Sequence, residues 1–198
     1  MLCLLVSGGA ILGTLGIHQA AICLKHGVIE ALNMKCALLI IDMQVGFLDE
    51  YHDKTIIDST IEYINYVSGM FRNAEQPVIH IQDVSEADTM LPEQLAISTK
   101  ITQAPSDFYI NKEFSNSFHQ TTLSELLSKL QVDLIVLCGQ AAEHCVVFTY
   151  SGASENGFPV VILQGGVASN NPSRIRALYE DRNLISHPVL RALFKSSS

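Results

Sequence analysis

At 198 residues the chain is long enough to bury the core of one α/β domain. A net charge of −8 without a run of like charges argues against nucleic acid as a partner. Five cysteines with no CxxC spacing argue against a disulfide framework and for a reducing, cytoplasmic setting.

Residues 1–33 differ from the rest. They carry no charged side chain before Lys25 and hold Gly9 and Gly13 at GxxxG spacing, in a stretch long enough to span a bilayer. There is no basic segment ahead of the apolar run, and the glycine and polar content is high for a spanning helix. The expectation is therefore an atypical apolar extension dispensable for chemistry, with no membrane partner. The folded domain is expected over residues 34–198.

Residues 36–41 form a continuous apolar run, the pattern of a strand buried on both faces, and end at Asp42-Met43-Gln44. Residues 54–71 read as a helix with Ile57, Ile61, Ile64 and Phe71 on one stripe. Pro77 opens a second strand, 78–81, in which His80 reads as a core histidine. Residues 83–105 show no strong period and are expected to run over the surface, where they could form a lid or a pocket wall. A short strand at 108–110 precedes Asn111-Lys112. Thr122 and Glu125 match a capping box that opens a helix carrying Leu123, Leu126, Leu127 and Leu130.

Residues 134–138 are a further buried strand, followed by a turn of small residues. Val146, Val147, Tyr150 and Ala153 then recur at helical spacing, and Gly157 closes that helix. This puts Cys145 in the first turn of a helix, just past the end of a strand. Residues 159–163 form another strand, and Asn171-Pro172 opens a helix as N-cap and N1. Strands alternating with helices imply a mainly parallel central sheet covered by helices on both faces.

In such a sheet Asp42, Lys112 and Cys145, each just after a strand, share one edge. An acid, an amine and a thiol there suit nucleophilic chemistry. A thiolate attacks a carbonyl carbon, the carboxylate takes the thiol proton and returns it to a leaving amine, and the ammonium offsets the repulsion of the two anions. Free N–H groups at the helix start can hold the oxyanion. His144 neighbours Cys145 in sequence, but adjacent helical residues point about 100° apart, so a Cys–His dyad is not expected.

Three segments resemble the isochorismatase-like cysteine hydrolases: Ile41-Asp42-Met43-Gln44 with Phe47, Lys112 with Ser115-Asn116-Ser117-Phe118, and Gly139 with Glu143-His144-Cys145-Val146. The resemblance covers about residues 36–169. It implies a three-layer Rossmann-like fold, with Asp42 as base, Lys112 as electrostatic partner and Cys145 as nucleophile. It also implies a cis peptide before Ala141 and an oxyanion hole made by the N–H groups of Ala141 and Cys145. Gln44, Phe47, Phe114, Ser117 and Phe118 are candidates for a substrate pocket, though the three phenylalanines could equally be core. Relatives of the nicotinamidase branch bind a metal through an Asp-x-His pair after the second strand. This chain reads Gln82-Asp83-Val84-Ser85-Glu86 there, so no metal and no cofactor are expected. Gly166 stands where relatives often carry Asp.

These observations favour a metal-independent cysteine hydrolase cleaving a C–N bond, amide or carbamoyl, of a small molecule. Two alternatives remain. One is an isochorismate-type vinyl-ether hydrolase, against which Cys145 argues because family members of that kind lack the nucleophile. The other is a catalytically silent binding or scaffold protein. The family implies a homo-oligomer, a dimer or tetramer.

Overall fold

The computed structural model describes residues 34–195. The expected N-terminal extension, with its membrane alternative, lies outside the described residues. Six strands, β1 (Cys36–Ile41), β2 (Val78–Asp83), β3 (Phe108–Lys112), β4 (Leu134–Gly139), β5 (Val160–Val167) and β6 (Leu184–Ile185), form one sheet in the order β3-β2-β1-β4-β5-β6. Every neighbouring pair is parallel, as the alternation of strands and helices implied. The helices are α1 (Val45–Asp49), α2 (Lys54–Asn73), α3 (Pro92–Leu95), α4 (Leu123–Lys129), α5 (Val147–Glu155), α6 (Pro172–Asp181) and α7 (His187–Lys195). A π-helical turn, Ala142–Val146, precedes α5. No helix among the described residues is long and apolar enough to cross a membrane.

The layers follow from the two-residue period of the central strand. Leu38 and Ile40 of β1 face Ile57, Ile61, Ile64 and Phe71 of α2, together with Leu190 and Phe194 of α7. Ala37, Leu39 and Ile41 face the other way, onto Leu123 and Leu127 of α4, Ala153 of α5 and Leu178 of α6. All six residues of β1 are buried, which accounts for the unbroken apolar run.

Helix ends obey local chemistry. The Asp53 carboxylate accepts from the N–H groups of Thr55 and Ile56 to start α2, and the Asn171 side chain accepts from Ser173 N–H ahead of Pro172. Gly157 (φ +81°) ends α5, with Phe158 N–H returning 2.9 Å to the Ala153 carbonyl. The expected capping box at Thr122 does not form. Thr121 takes that place, its hydroxyl accepting from Leu123 N–H at 3.3 Å while donating to the Ser117 carbonyl at 2.6 Å.

Four strands run past their expected ends. β2 continues to Asp83, β3 to Lys112, β4 to Gly139 and β5 to Val167. The short α1 and α3, the two-residue β6 and the closing α7 were not anticipated from periodicity.

Candidate active site

The carboxyl ends of β1, β2, β3 and β4 converge on one buried cluster. Asp42 leaves β1 in the left-handed region (φ +52°), which a short polar side chain tolerates better than a branched one. Its backbone is held from both neighbours: Asp42 N–H donates to the Ile81 carbonyl at 3.0 Å, and the Gln140 amide donates to the Asp42 carbonyl at 2.9 Å. Gly139 permits this close approach. A Cβ there would overlap the carbonyl oxygen of Ile41 and lie 2.6 Å from its nitrogen, and the residue has φ +106°.

Lys112 stands directly beside Asp83 in the β2–β3 register, so the two side chains leave the sheet together. Its ammonium lies 2.5 Å from Asp83 Oδ2, 2.9 Å from Asp42 Oδ2 and 3.3 Å from Cys145 Sγ. The Lys112 side chain is fully buried. Burial works against its charge, but the charges of Asp42 and Cys145 and hydrogen bonds to both aspartates outweigh burial and raise its pKa.

Asp83 was passed over in the sequence as a lone acid without a histidine partner, yet it makes the shortest contact of the cluster. Its Oδ1 accepts from Ser85 N–H at 2.9 Å and Ser85 Oγ at 2.6 Å. Burial opposes the Asp83 charge, and the bonds from Lys112 and Ser85 overcome this to hold its carboxyl below the usual range. The signal that could have found it is positional. Had the strand at 78–81 been extended by two residues, Asp83 would have fallen on the same sheet edge as Asp42 and Lys112.

Burial pushes the Asp42 pKa up to about 6 against the opposing pull of Lys112. Burial and then the Asp42 charge push the Cys145 thiol up to about 12, again against Lys112. At neutral pH the site therefore holds an ionised Asp42 beside a protonated, half-buried thiol, and a base is needed for that thiol to attack.

Cys145 lies within the π-helical turn rather than in a regular first helical turn. His144 just before it has non-helical dihedrals (φ −125°, ψ −107°) and an exposed side chain. The Gln140–Ala141 peptide is cis. The N–H of Ala142 donates to Ala168, and those of His144 and Val146 donate to the Ala141 carbonyl. The Ala141 N–H has no acceptor among the described residues.

A cavity of about 380 Å³ opens onto this cluster. Asp42, Asp83, Ala141 and Cys145 form part of its wall, and Phe47, Glu50, Tyr51, Glu86, Glu143 and His144 lie around them. Of the five pocket candidates only Phe47 lines it. Gln44 is buried and ties chain segments together, its amide donating to the carbonyls of Asp83 (2.8 Å) and Leu95 (2.7 Å) while its oxygen accepts from Asp83 N–H (2.7 Å). It thus fixes the end of β2 that carries Asp83. Ser117 is buried against Thr149 (Oγ–Oγ1 2.8 Å), and Phe118 packs on Phe158 in the core. Phe114 is exposed and packs edge-on against His119. Gly166 is buried on β5, where a Cβ would come 2.6 Å from Leu163 Cδ2 and 3.2 Å from Cys138 Cβ, so an Asp does not fit without repacking. His80, the expected core histidine, bonds through Nε2 to Asp107 Oδ2 at 2.9 Å and stacks on Tyr109. Its buried Nδ1 has no partner among the described residues.

Among the described residues, Asp42, Asp83 and Cys145 are the one group of acidic and thiol ligands close enough to share a metal ion, with ligand atoms within 4.8 Å of one another. The Lys112 ammonium contacts all three, so a divalent ion there would face a buried like charge.

The family model described as Isochorismatase domain matches residues 36–190. The uncharacterized isochorismatase family protein YaaI of Bacillus subtilis (strain 168) is 30% identical over 148 residues, covering 68% of this chain and 81% of YaaI. Among solved structures, N-carbamoylsarcosine amidase from Thermoplasma acidophilum matches with a TM-score of 0.65 at 21% identity, over 75% of this chain and 92% of that one. Nicotinamidase PncA from Bacillus subtilis matches at 0.64 and 24% identity, over 74% and 93%. These two likenesses are of fold.

Proposed function

Because the chain belongs to the isochorismatase family of hydrolases, we propose that it cleaves the C–N bond of a small amide or carbamoyl compound through a thioester on Cys145. The observation that carries this reading is the buried Lys112 ammonium touching the Cys145 thiol and two carboxylates at the floor of a cavity. The activities of two fold neighbours, an N-carbamoylsarcosine amidase and a nicotinamidase, are in keeping with it.

In this reading Asp42 takes the thiol proton as sulfur attacks the carbonyl carbon. The C–S bond forms as the carbonyl π pair moves to oxygen, and the N–H groups of Ala141 and Cys145 receive that oxyanion, typically worth about 3 kcal/mol per donor. Protonated Asp42 then gives its proton to the nitrogen as the C–N bond breaks and the amine leaves. An Asp pKa raised toward neutrality makes Asp42 a stronger base toward the thiol than an ordinary carboxylate, and one that holds the proton until the departing nitrogen takes it. Water deprotonated by Asp42 attacks the thioester, and the thiolate leaves with the returned proton. Lys112 offsets the negative charge that passes between Asp42 and sulfur, and Asp83 is a positioning residue that holds the ammonium. No step requires a metal.

The test is a screen of small amides and carbamoyl compounds for ammonia or amine release, paired with Cys145→Ala. Turnover by the native chain, loss of at least about a thousandfold in the variant with an unchanged fold, and a Cys145 acyl adduct by mass spectrometry are expected. Full activity in Cys145→Ala would end the cysteine-hydrolase reading.

A further inference from the structure

Resting on the amide-hydrolase reading above, we propose that the cavity selects substrates carrying a cation, an ammonium or guanidinium group, bound by Glu143, Glu50 and the Tyr51 hydroxyl while the carbonyl faces Cys145.

The wall of the cavity beyond the cluster is acidic. Glu50, Glu86 and Glu143 line it, and no lysine or arginine stands among its lining residues. Carboxylates on a surface are common and carry nothing alone, but here a buried carboxylate oxygen and the hydroxyl of a buried tyrosine have no partner among the described residues. Glu143 accepts from Ser169 Oγ at 2.9 Å through Oε1, whereas its Oε2 is buried and has no hydrogen bond among the described residues. Tyr51 is 5% exposed, and its hydroxyl has no partner among the described residues. Tyr51 lines the same cavity as Glu50 and Glu143, and burial first, then the charges of Glu143 and Glu50, hold its phenol proton on. An orphaned acceptor and a phenol beside two anions suit a ligand that brings N–H donors and positive charge. Phe47 adds an aromatic wall that can face such a cation.

The subsite is held in place by the fold. Ser169 positions Glu143 and in turn accepts from Asn171 N–H at 2.9 Å. The Asn170 amide donates to the Glu50 carbonyl at 3.4 Å and accepts from His52 N–H at 3.3 Å, tying the segment that bears Glu50 and Tyr51 to the loop after β5. Glu143 lies two residues before Cys145, so the charge is placed within a small molecule's reach of the nucleophile.

The test reads the charge preference of Cys145 without relying on amide turnover. Three methanethiosulfonates with the same leaving group react with the full chain in EDTA: trimethylammonioethyl (cation), methyl (neutral) and sulfonatoethyl (anion). Peptide-level mass spectrometry isolates Cys145, and rates are normalised to 2-mercaptoethanol. The cation is expected to outrun the anion by about tenfold or more at low salt, with the neutral reagent between them. The ratio should fall toward one in Glu50→Gln/Glu143→Gln. The single variant Glu50→Gln, at an exposed position, serves if the double variant fails to fold, and should lower the ratio in part. A ratio near one in the native chain, or one unmoved by these substitutions, overturns the proposal. The amide screen then separates the two ideas. A cation preference at the thiol with no amide turned over leaves the subsite and removes the amidase reading. Turnover in which 4-aminobutanamide, pentanamide and succinamate are used alike removes the subsite and leaves the amidase reading.

Discussion

Replacing Lys112 by Met keeps most of the side-chain stem and deletes the ammonium. Asp83, Asp42 and Cys145, at 2.5, 2.9 and 3.3 Å, lose their counter-charge together. Water has little access, since the Lys112 side chain is fully buried and that of Asp42 is 3% exposed. Removing one partner of a buried pair costs about 3–5 kcal/mol, because the remaining charge is left uncompensated. At roughly 2–4 °C per kcal/mol for a chain of this size, the melting temperature near neutral pH should fall by about 6–20 °C.

The sign of the pH dependence follows from the shifts. In the native protein the folded-state pKa of Asp83 is depressed, so its contribution is present above the unfolded value of about 3.9 and is lost as pH falls through the folded value. Without Lys112 both carboxylates shift upward, and the variant loses stability as pH rises above that unfolded value. The gap between native and variant is therefore widest at neutral pH and narrows toward about pH 4. Adding Asp83→Asn removes one stranded charge and should recover part of the loss. Urea unfolding at about pH 4.5 and about pH 7.5 measures the gap. Iodoacetamide labelling of Cys145 across pH gives a second readout, and its profile should move to higher pH, each unit cutting thiolate tenfold. A variant as stable as the native chain at neutral pH, a gap that does not shrink on acidification, or an unmoved labelling profile would show that Lys112 is not the counter-charge of this site.

Three further outcomes are expected. The pH profile of kcat/KM should show an acid limb near 6, where Asp42 loses its proton, and no basic limb from the thiol below about pH 10; full activity at about pH 4.5 would remove Asp42 as the base. Prolonged EDTA treatment should leave activity intact, and inactivation reversed by zinc or iron would overturn the metal-free mechanism. Light scattering at micromolar concentration should give at least a dimer, and a monomer would contradict the oligomer expected from the family resemblance.

Much of the sheet was legible because its code is local. Unbroken apolar runs mark strands buried on both faces, as Cys36–Ile41 shows, and the stripe of Ile57, Ile61, Ile64 and Phe71 marks the helix packed on it. Where cues were short or ambiguous the reading failed. The two-residue β6 offers no period to detect. At the start of α4 two adjacent threonines compete to cap, and Thr121 wins because its hydroxyl also reaches the Ser117 carbonyl.

What the sequence by itself determined is which chemistry lies along the carboxyl edge of the sheet. Once strands and helices alternate, Asp42, Lys112 and Cys145 must share that edge. Only the tertiary structure decided which side chains touch there. Asp83 joins the cluster because β2 and β3 pair in a register that sets it beside Lys112. Gln44 and Ser117 are used up in buried hydrogen bonds rather than in lining the cavity, and Glu143 joins Glu50 and Tyr51 around it although it lies about ninety residues beyond them in the chain. The physical reason is one of range. Periodicity reports the conformation and buried face of a single segment, whereas strand order and register bring distant segments together, and no local pattern encodes them.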